Sequence, residues 1–144
     1  MIEIVLDGKP LGKERVRFVK ATGRTFTPER TVNYESRLAL AGQTVMNGRP
    51  LLVGPLALEV TSFVPIPASK PKKWQAAALA GEHRPTTKPD IDNVCKAACD
   101  ALNLVVWTDD AQIVEATLKK FYSDRPRLVL RAWELNPTTA GAFE

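Results

Sequence analysis

The sequence predicts an α+β protein, a small single domain in which a mixed β-sheet packs against two main helices. Three observations predict it. Apolar residues alternate near both ends of the chain, as they do in strands with one buried face. Two internal segments instead repeat their apolar residues at intervals of three and four, as helices do. The two kinds of segment follow one another without a regular βαβ rhythm. A length of 144 residues suits one domain; folding at about this size buries roughly 68–70% of the surface the unfolded chain exposes, enough for a core without staples. With 44% hydrophobic and 25% charged residues, the chain is neither largely disordered nor collagen-like.

In chain order, residues 1–7 (MIEIVLD) read as a strand with Ile2, Ile4 and Leu6 on one face. Residues 15–20 (RVRFVK) alternate less cleanly, and 21–24 read as a turn. Thr27, Pro28 and Glu29 signal a helix start: an N-cap hydroxyl, proline at the first helical position and an acid in the first turn. Tyr34, Leu38, Ala41 and Val45 form its apolar face, and Asn47 with Gly48 offers the stop. Residues 56–63 (LALEVTSF) are rich in β-formers and read as a strand. From 64 to 89 prolines punctuate the chain, leaving a loop with one short helix over 73–79. A second main helix follows Pro89, with Ile91, Val94, Cys95, Ala98, Cys99 and Leu102 on its apolar face. A short strand at 105–107, a turn at Asp109 and Asp110, and strands over 112–122 and 127–134 complete the domain, residues 1–135. Residues 136–144 read as a frayed tail.

Charge is unevenly spread. The chain carries a net +4 and a sequence pI near 9.2, in the range suggestive of nucleic-acid binding. Residues 90–110 hold five aspartates and one lysine, a net −4, so the remainder carries +8. Basic surface attracts phosphates, whereas clustered carboxylates repel them unless a cation intervenes. No apolar run approaches membrane-spanning length. The first residues lack the basic and apolar regions of a secretory signal, and two cysteines do not make a disulfide scaffold. A reducing compartment, the cytoplasm, is the expectation.

The acidic knot carries the chemistry. Asp90 and Asp92 flank Ile91 just after a proline; an extended backbone there would point both carboxylates one way and Ile91 into the core. The bland alternative is that one aspartate caps the helix and the other is simply solvated. Against it stand Lys96, one helical turn after Asp92, and the pair Asp109 and Asp110, which follows Trp107 at a length that permits folding back beside the helix start. Two carboxylates about 4 Å apart repel by roughly 4 kcal/mol at an effective dielectric of about 20. A hard divalent cation removes that penalty, and Mg²⁺ typically takes one or two carboxylates together with water and phosphate oxygens. Such a set suits phosphodiester cleavage, with Lys96 adding a fixed positive charge.

The series Lys88, Pro89, Asp90, Ile91, Asp92, Asn93, then Lys96, then Asp100, Ala101, Leu102, then Val106 through Ile113 (VWTDDAQI) resembles the signature of the RusA family of Holliday-junction resolvases. Gly8, Lys9 and Pro10, with Lys13, Arg15 and Arg17, and the 65–70 segment (PIPASK) extend the likeness to residues 2–134. The resemblance implies a homodimer that binds four-way junction DNA and cuts two opposing strands with Mg²⁺. It implies Asp90, Asp92 and Asp110 as the metal-binding acids and Lys96 as an essential lysine, Asp109 being the rival to Asp110. Asn93 and Asp100 belong to the motif with structural roles available to both. Two basic clusters are the DNA-binding candidates: Lys13, Arg15 and Arg17 in the first, and Lys70, Lys72, Lys73, Arg84 and Lys88 in the second, which leads into the acidic knot. The rival readings are a metal nuclease for flaps or forks, and a junction-binding accessory protein that does not cut.

Other candidates have blander readings. Cys95 and Cys99 read as core packing. His83 reads as exposed or phosphate-contacting, because no acid is placed near it to orient it as a base. Trp107 and Trp133 read as core, and Trp74 as facing either DNA or a partner subunit.

Overall fold

The computed structural model describes residues 1–14 and 17–135; Arg15, Val16 and the expected tail at 136–144 lie outside the described residues. The elements are β1 (Ile2–Asp7), β2 (Arg17–Val19), β3 (Arg24–Phe26), α1 (Glu29–Met46), β4 (Leu56–Pro65), α2 (Lys72–Leu79), α3 (Ile91–Leu102), β5 (Ile113–Ser123) and β6 (Arg127–Glu134). The alternation in β1 is realised as expected, with Ile2, Ile4 and Leu6 buried between exposed neighbours. β1 pairs antiparallel with β6, β6 antiparallel with β4, and β4 parallel with β5, giving the mixed order β1-β6-β4-β5. α1 and α3 pack on each other and on one face of this sheet. Leu38, Val94, Leu102 and Trp107 fill the space between them and Leu56, Leu58, Val60, Leu128 and Leu130 of the strands.

Five local expectations are corrected. Arg24 does not end a turn but opens β3, which pairs with β2; all three β3 residues are exposed, so no alternation marked them. Thr27 does not cap α1; Pro28 occupies the cap position without a side-chain bond, and its carbonyl accepts from the Thr31 and Val32 amides. The stop is as expected, with Asn47 left-handed (φ 47°) and Gly48 following at φ 78°. The 105–107 segment is not a strand, because the Val105 and Val106 amides both turn back to the Leu102 carbonyl (3.0 Å each) and prolong the helix end. Trp107 is nonetheless wholly buried, its indole nitrogen donating to Asn103 Oδ1 at 2.7 Å. Trp133 is only half-buried, since Leu128, Leu130 and Ala132 give β6 its core face and the next residue points the other way. The fifth, Ile91, belongs to the site below.

The buried stripe of α1 runs through Thr31, Tyr34, Leu38, Gly42 and Met46, with Ala41 and Val45 at its margin. Gly42 lies where α1 meets α3: a Cβ there would stand 2.7 Å from Leu102 Cδ2 and 3.1 Å from Val105 Cγ1. Leu102 is itself buried and has little room to retreat. Overpacking costs about 1–3 kcal/mol, and the better helix propensity of alanine returns up to about 1. Gly42→Ala is therefore expected to lower the urea midpoint by a net loss on the order of 1 kcal/mol; an unchanged or raised midpoint would mean that the helix crossing relaxes.

Candidate active site

The start of α3 is held from two sides. Lys120 of β5 donates to the Thr87 and Pro89 carbonyls (2.7 and 3.0 Å), fixing the approach, in which the Lys88–Pro89 peptide bond is cis. On the other side the Lys13 amide donates to the Asn93 carbonyl at 2.9 Å. This close crossing requires Gly12, where a Cβ would lie 2.9 Å from Asn93 Cβ. At the far end of the helix the Leu102–Trp107 turn sets the direction of the returning chain.

On this frame Asp90 takes the helix cap position with an extended backbone (φ −72°, ψ 142°), yet its side chain makes no capping bond. Its Oδ2 accepts instead from Lys88 Nζ and Asn93 Nδ2, each at 3.3 Å. Asp92 is exposed in the first turn. Ile91 does not point into the core as expected: it is 41% exposed, because the helix has already begun there and its buried stripe starts one turn later at Val94. The two carboxylates share a cleft of about 770 Å³ by following the helix start, not by strand alternation. Lys9, Lys13, Arg30 and Lys88 line the same cleft.

The second acidic pair sits on a 3₁₀ turn (Asp110–Gln112) leading into β5, and its members differ. The Asp109 side chain accepts from the Ala111 amide at 3.3 Å, while Gln112 Oε1 accepts from the Thr108 and Asp109 amides, a reciprocal cap. Gln112 Nε2 also donates to the Leu52 and Gly54 carbonyls (3.2 Å each), tying the turn to the start of β4. Asp109 is thus committed to its backbone. Burial, then the hydrogen bond and charge of Asp109, then the charge of Asp100 hold the Asp110 carboxyl above the ordinary range, with Lys96 pulling the other way. The turn therefore returns to the side of α3 that carries Lys96 and Asp100. Cys95 reports the same juxtaposition. Its hydrogen bond with Cys99 (Sγ to Sγ 4.0 Å) lowers it to about 7, while burial and the charges of Asp110 and Asp92 act upward. As expected Cys99 is buried; Cys95 is half-buried.

Among the described residues no three of these groups already close around one point as a finished metal cage. The donor chemistry nevertheless fits a hard divalent cation: the candidate ligands are carboxylates, and Asp110 is surrounded by more negative charge than Lys96 offsets.

The basic candidates separate. Lys13 is 18% exposed and points inward, 2.6 Å from Glu35 Oε1 and 3.3 Å from Asp100 Oδ2. Burial alone would lower its pKa, and the two carboxylates more than offset that, raising it. Arg84 donates to the Lys120 carbonyl and stacks its guanidinium 3.8 Å from the Phe121 ring centroid. Lys88 pairs with Asp90. Lys70 lies over Trp74, which is half-buried, stacked on His83 (4.6 Å, 11°) and edge-on to Tyr122. Lys72 and Lys73 are exposed in the first turn of α2, Arg17 opens β2, and Arg15 lies outside the described residues. Two supporting residues were not singled out from sequence, Lys120 and Glu35, and Gln112 stood in the motif with no role given to it. Lys120 left a signal, being a lysine on the inward parity of its strand, in register with buried Ser62.

The profile of a family described as endodeoxyribonuclease RusA matches residues 7–132. A Bacillus subtilis (strain 168) protein described as "Uncharacterized protein YqaN" is 33% identical, over 94% of this chain and 97% of its own length. No helix among the described residues is long and apolar enough to cross a membrane. A family match across nearly the whole chain, on an α+β fold with a mixed sheet, leaves one assignment: this chain belongs to the RusA endodeoxyribonuclease family.

Proposed function

We propose that the protein is a Mg²⁺-dependent, structure-selective endodeoxyribonuclease that resolves Holliday junctions by paired nicks in opposing strands, in DNA recombination and repair. One observation carries the reading. Neither Asp90 nor Asp110 is spent on capping its own helix end, and the turn bearing Asp110 lies beside the lysine that follows Asp92 by one helical turn. Carboxylates that cap nothing and stand near a DNA-binding surface weaken DNA binding by themselves, so a role in binding alone does not account for them. Asp90, Asp92 and Asp110 would hold the ion, whose chemistry there would be to lower the pKa of a water nucleophile and to offset charge on the phosphate. Lys96, largely exposed, contributes a fixed positive charge to the phosphate undergoing attack. Asn93 holds the Asp90 carboxylate in place through its amide.

The lysines of α2 serve to grip the strand. Cations in a first turn oppose the helix dipole, and α2 has no acid there to compensate, so Lys72 and Lys73 cost stability where they stand. An anion at that end would reverse the sign. Replacing Lys70, Lys72 and Lys73 by alanine is expected to weaken junction binding and to flatten its salt dependence, by about 0.9 in the log–log slope for each phosphate no longer held. An unchanged slope would reduce these lysines to solvated surface.

The protein acts as a homodimer, because a junction has near-twofold symmetry and two related sites reach two opposed strands. Sedimentation at micromolar protein is expected to give a dimer without DNA or metal; a monomer would remove that part of the reading. The activity itself is tested with a labelled four-way junction in Mg²⁺, Ca²⁺ or EDTA, beside linear duplex, flap and fork. Paired, Mg²⁺-dependent nicks in the junction are expected. Preferential flap or fork cleavage would favour the related nuclease, and tight binding without cleavage the accessory protein.

A further inference from the structure

Asp100 stands where a carboxylate is disfavoured. It lies in the last turn of α3, at the negative end of the helix dipole, and that turn carries no basic residue to offset it. Its i,i+4 partner Lys96 precedes it, the less favourable order for such a pair. Helix stability therefore gives no reason for an acid there. Its contacts do. Asp100 Oδ2 lies 3.3 Å from Lys13 Nζ and 3.8 Å from Lys96 Nζ, and Lys13 is held in turn at 2.6 Å by Glu35 of α1. Two lysines and two carboxylates form a chain of ion pairs that starts at Lys13, on the wall of the cleft, and runs through Asp100 to Lys96 on the helix surface. Lys13 is its inner, mostly buried member, and Lys96 is the outer one at 63% exposure.

Resting on the endonuclease reading, we propose that Asp100, anchored by Lys13 and Glu35, is a positioning residue that holds the Lys96 ammonium for the phosphate under attack, and that Lys13 is a strut of this chain and not a phosphate contact. An exposed lysine has four rotatable side-chain bonds and samples many positions. A carboxylate one turn away restrains it, and that carboxylate works only if its own direction is fixed. Lys13 supplies the fixing: although it lines the cleft, its ammonium is committed to Glu35 and Asp100, and a phosphate would engage it only by breaking those pairs. Lys13 also shares the negative charge of Asp100, so that Lys96 is tethered without being neutralised.

The test combines two measurements on the full-length protein with a synthetic four-way junction. In the first, metal-free binding is followed against salt. Lys13→Met is expected to keep the wild-type log–log slope, whereas releasing one phosphate would lower it by about 0.9. A lowered slope would return Lys13 to the DNA interface and overturn the assignment. In the second, single-turnover cleavage is measured at saturating junction. Asp100→Asn is expected to slow it on the order of ten- to a hundredfold with affinity unchanged, the scale of a misplaced group of about 1 Å. Lys13→Met is expected to slow it too, and Lys13→Arg to recover most of the rate. In a Lys96→Met background, Asp100→Asn is expected to cause no further loss of the residual rate, because its effect passes through Lys96. A full additional loss in that background would make Asp100 merely structural, and a normal rate for Asp100→Asn would dismiss it altogether. A wild-type protein that neither binds nor cuts the junction would instead bring down the endonuclease reading, with the positioning role falling as its consequence.

Discussion

Asp90→Asn is expected to reduce Mg²⁺-dependent junction cleavage by about a hundredfold or more while metal-free junction affinity stays the same or rises. The substitution keeps the side-chain shape, and its amide oxygen can still accept from Lys88 and Asn93, the two groups that hold the carboxylate now. Folding should barely change, because the side chain is half exposed and makes no capping bond. What disappears is one negative charge at the mouth of the cleft. For DNA without metal that loss is favourable, since it removes repulsion of the backbone. For catalysis it removes a ligand, and a disrupted metal site forfeits several kcal/mol of transition-state stabilisation, at about 1.4 kcal/mol per tenfold in rate. Lys96→Ala should also lose cleavage but with a smaller change in the Mg²⁺ concentration required, because it acts on phosphate charge and not on the ion. Normal cleavage by Asp90→Asn, or loss traced to misfolding or to failed DNA binding, would defeat the proposal.

The parts of the fold that could be read from sequence are those where burial imposes a period. The alternation of Ile2, Ile4 and Leu6 and the helical spacing of Val94, Ala98 and Leu102 are each the trace of one buried face. Where burial imposes none, the reading failed. β3 is exposed at every position, and the Val105–Trp107 stretch has strand composition but is folded back by hydrogen bonds to Leu102. The candidate acids stood out in the sequence because charge repulsion makes so many aspartates in a short window improbable without a function. Their division of labour was not legible, because Asp109 and Asp110 differ only in what surrounds them. Lys13 shows the same limit from the other side. In a basic run it reads as one more phosphate contact, and only the tertiary approach of Glu35 and Asp100 turns it inward.

That difference between adjacent aspartates gives the second large effect. Asp110→Asn is expected to match Asp90→Asn in losing cleavage, whereas Asp109→Asn should keep most of it. The Asp109 side chain accepts from the Ala111 amide, and asparagine caps nearly as well as aspartate, so the turn and the bridge from Gln112 to Leu52 and Gly54 should survive. Asp109→Ala removes the acceptor and should cost about 1 kcal/mol of stability, with a moderate loss of rate as the turn loosens. The Asp110 substitution carries an opposite signature in stability. Its carboxyl is raised above the ordinary range by burial and by the neighbouring acids Asp109 and Asp100, so at neutral pH its ionised form is less favourable folded than unfolded. Asparagine removes that penalty. Without Mg²⁺ the Asp110→Asn protein should therefore melt at the wild-type temperature or above it at neutral pH, and any advantage should shrink as the pH falls and the wild-type carboxyl takes up its proton. An inactive enzyme that is at least as stable as its parent is the mark of a group held for chemistry at the expense of the fold. The assignment is overturned if Asp109→Asn is as inactive as Asp90→Asn while Asp110→Asn still cuts, for then Asp109 would be the ligand and Asp110 its neighbour.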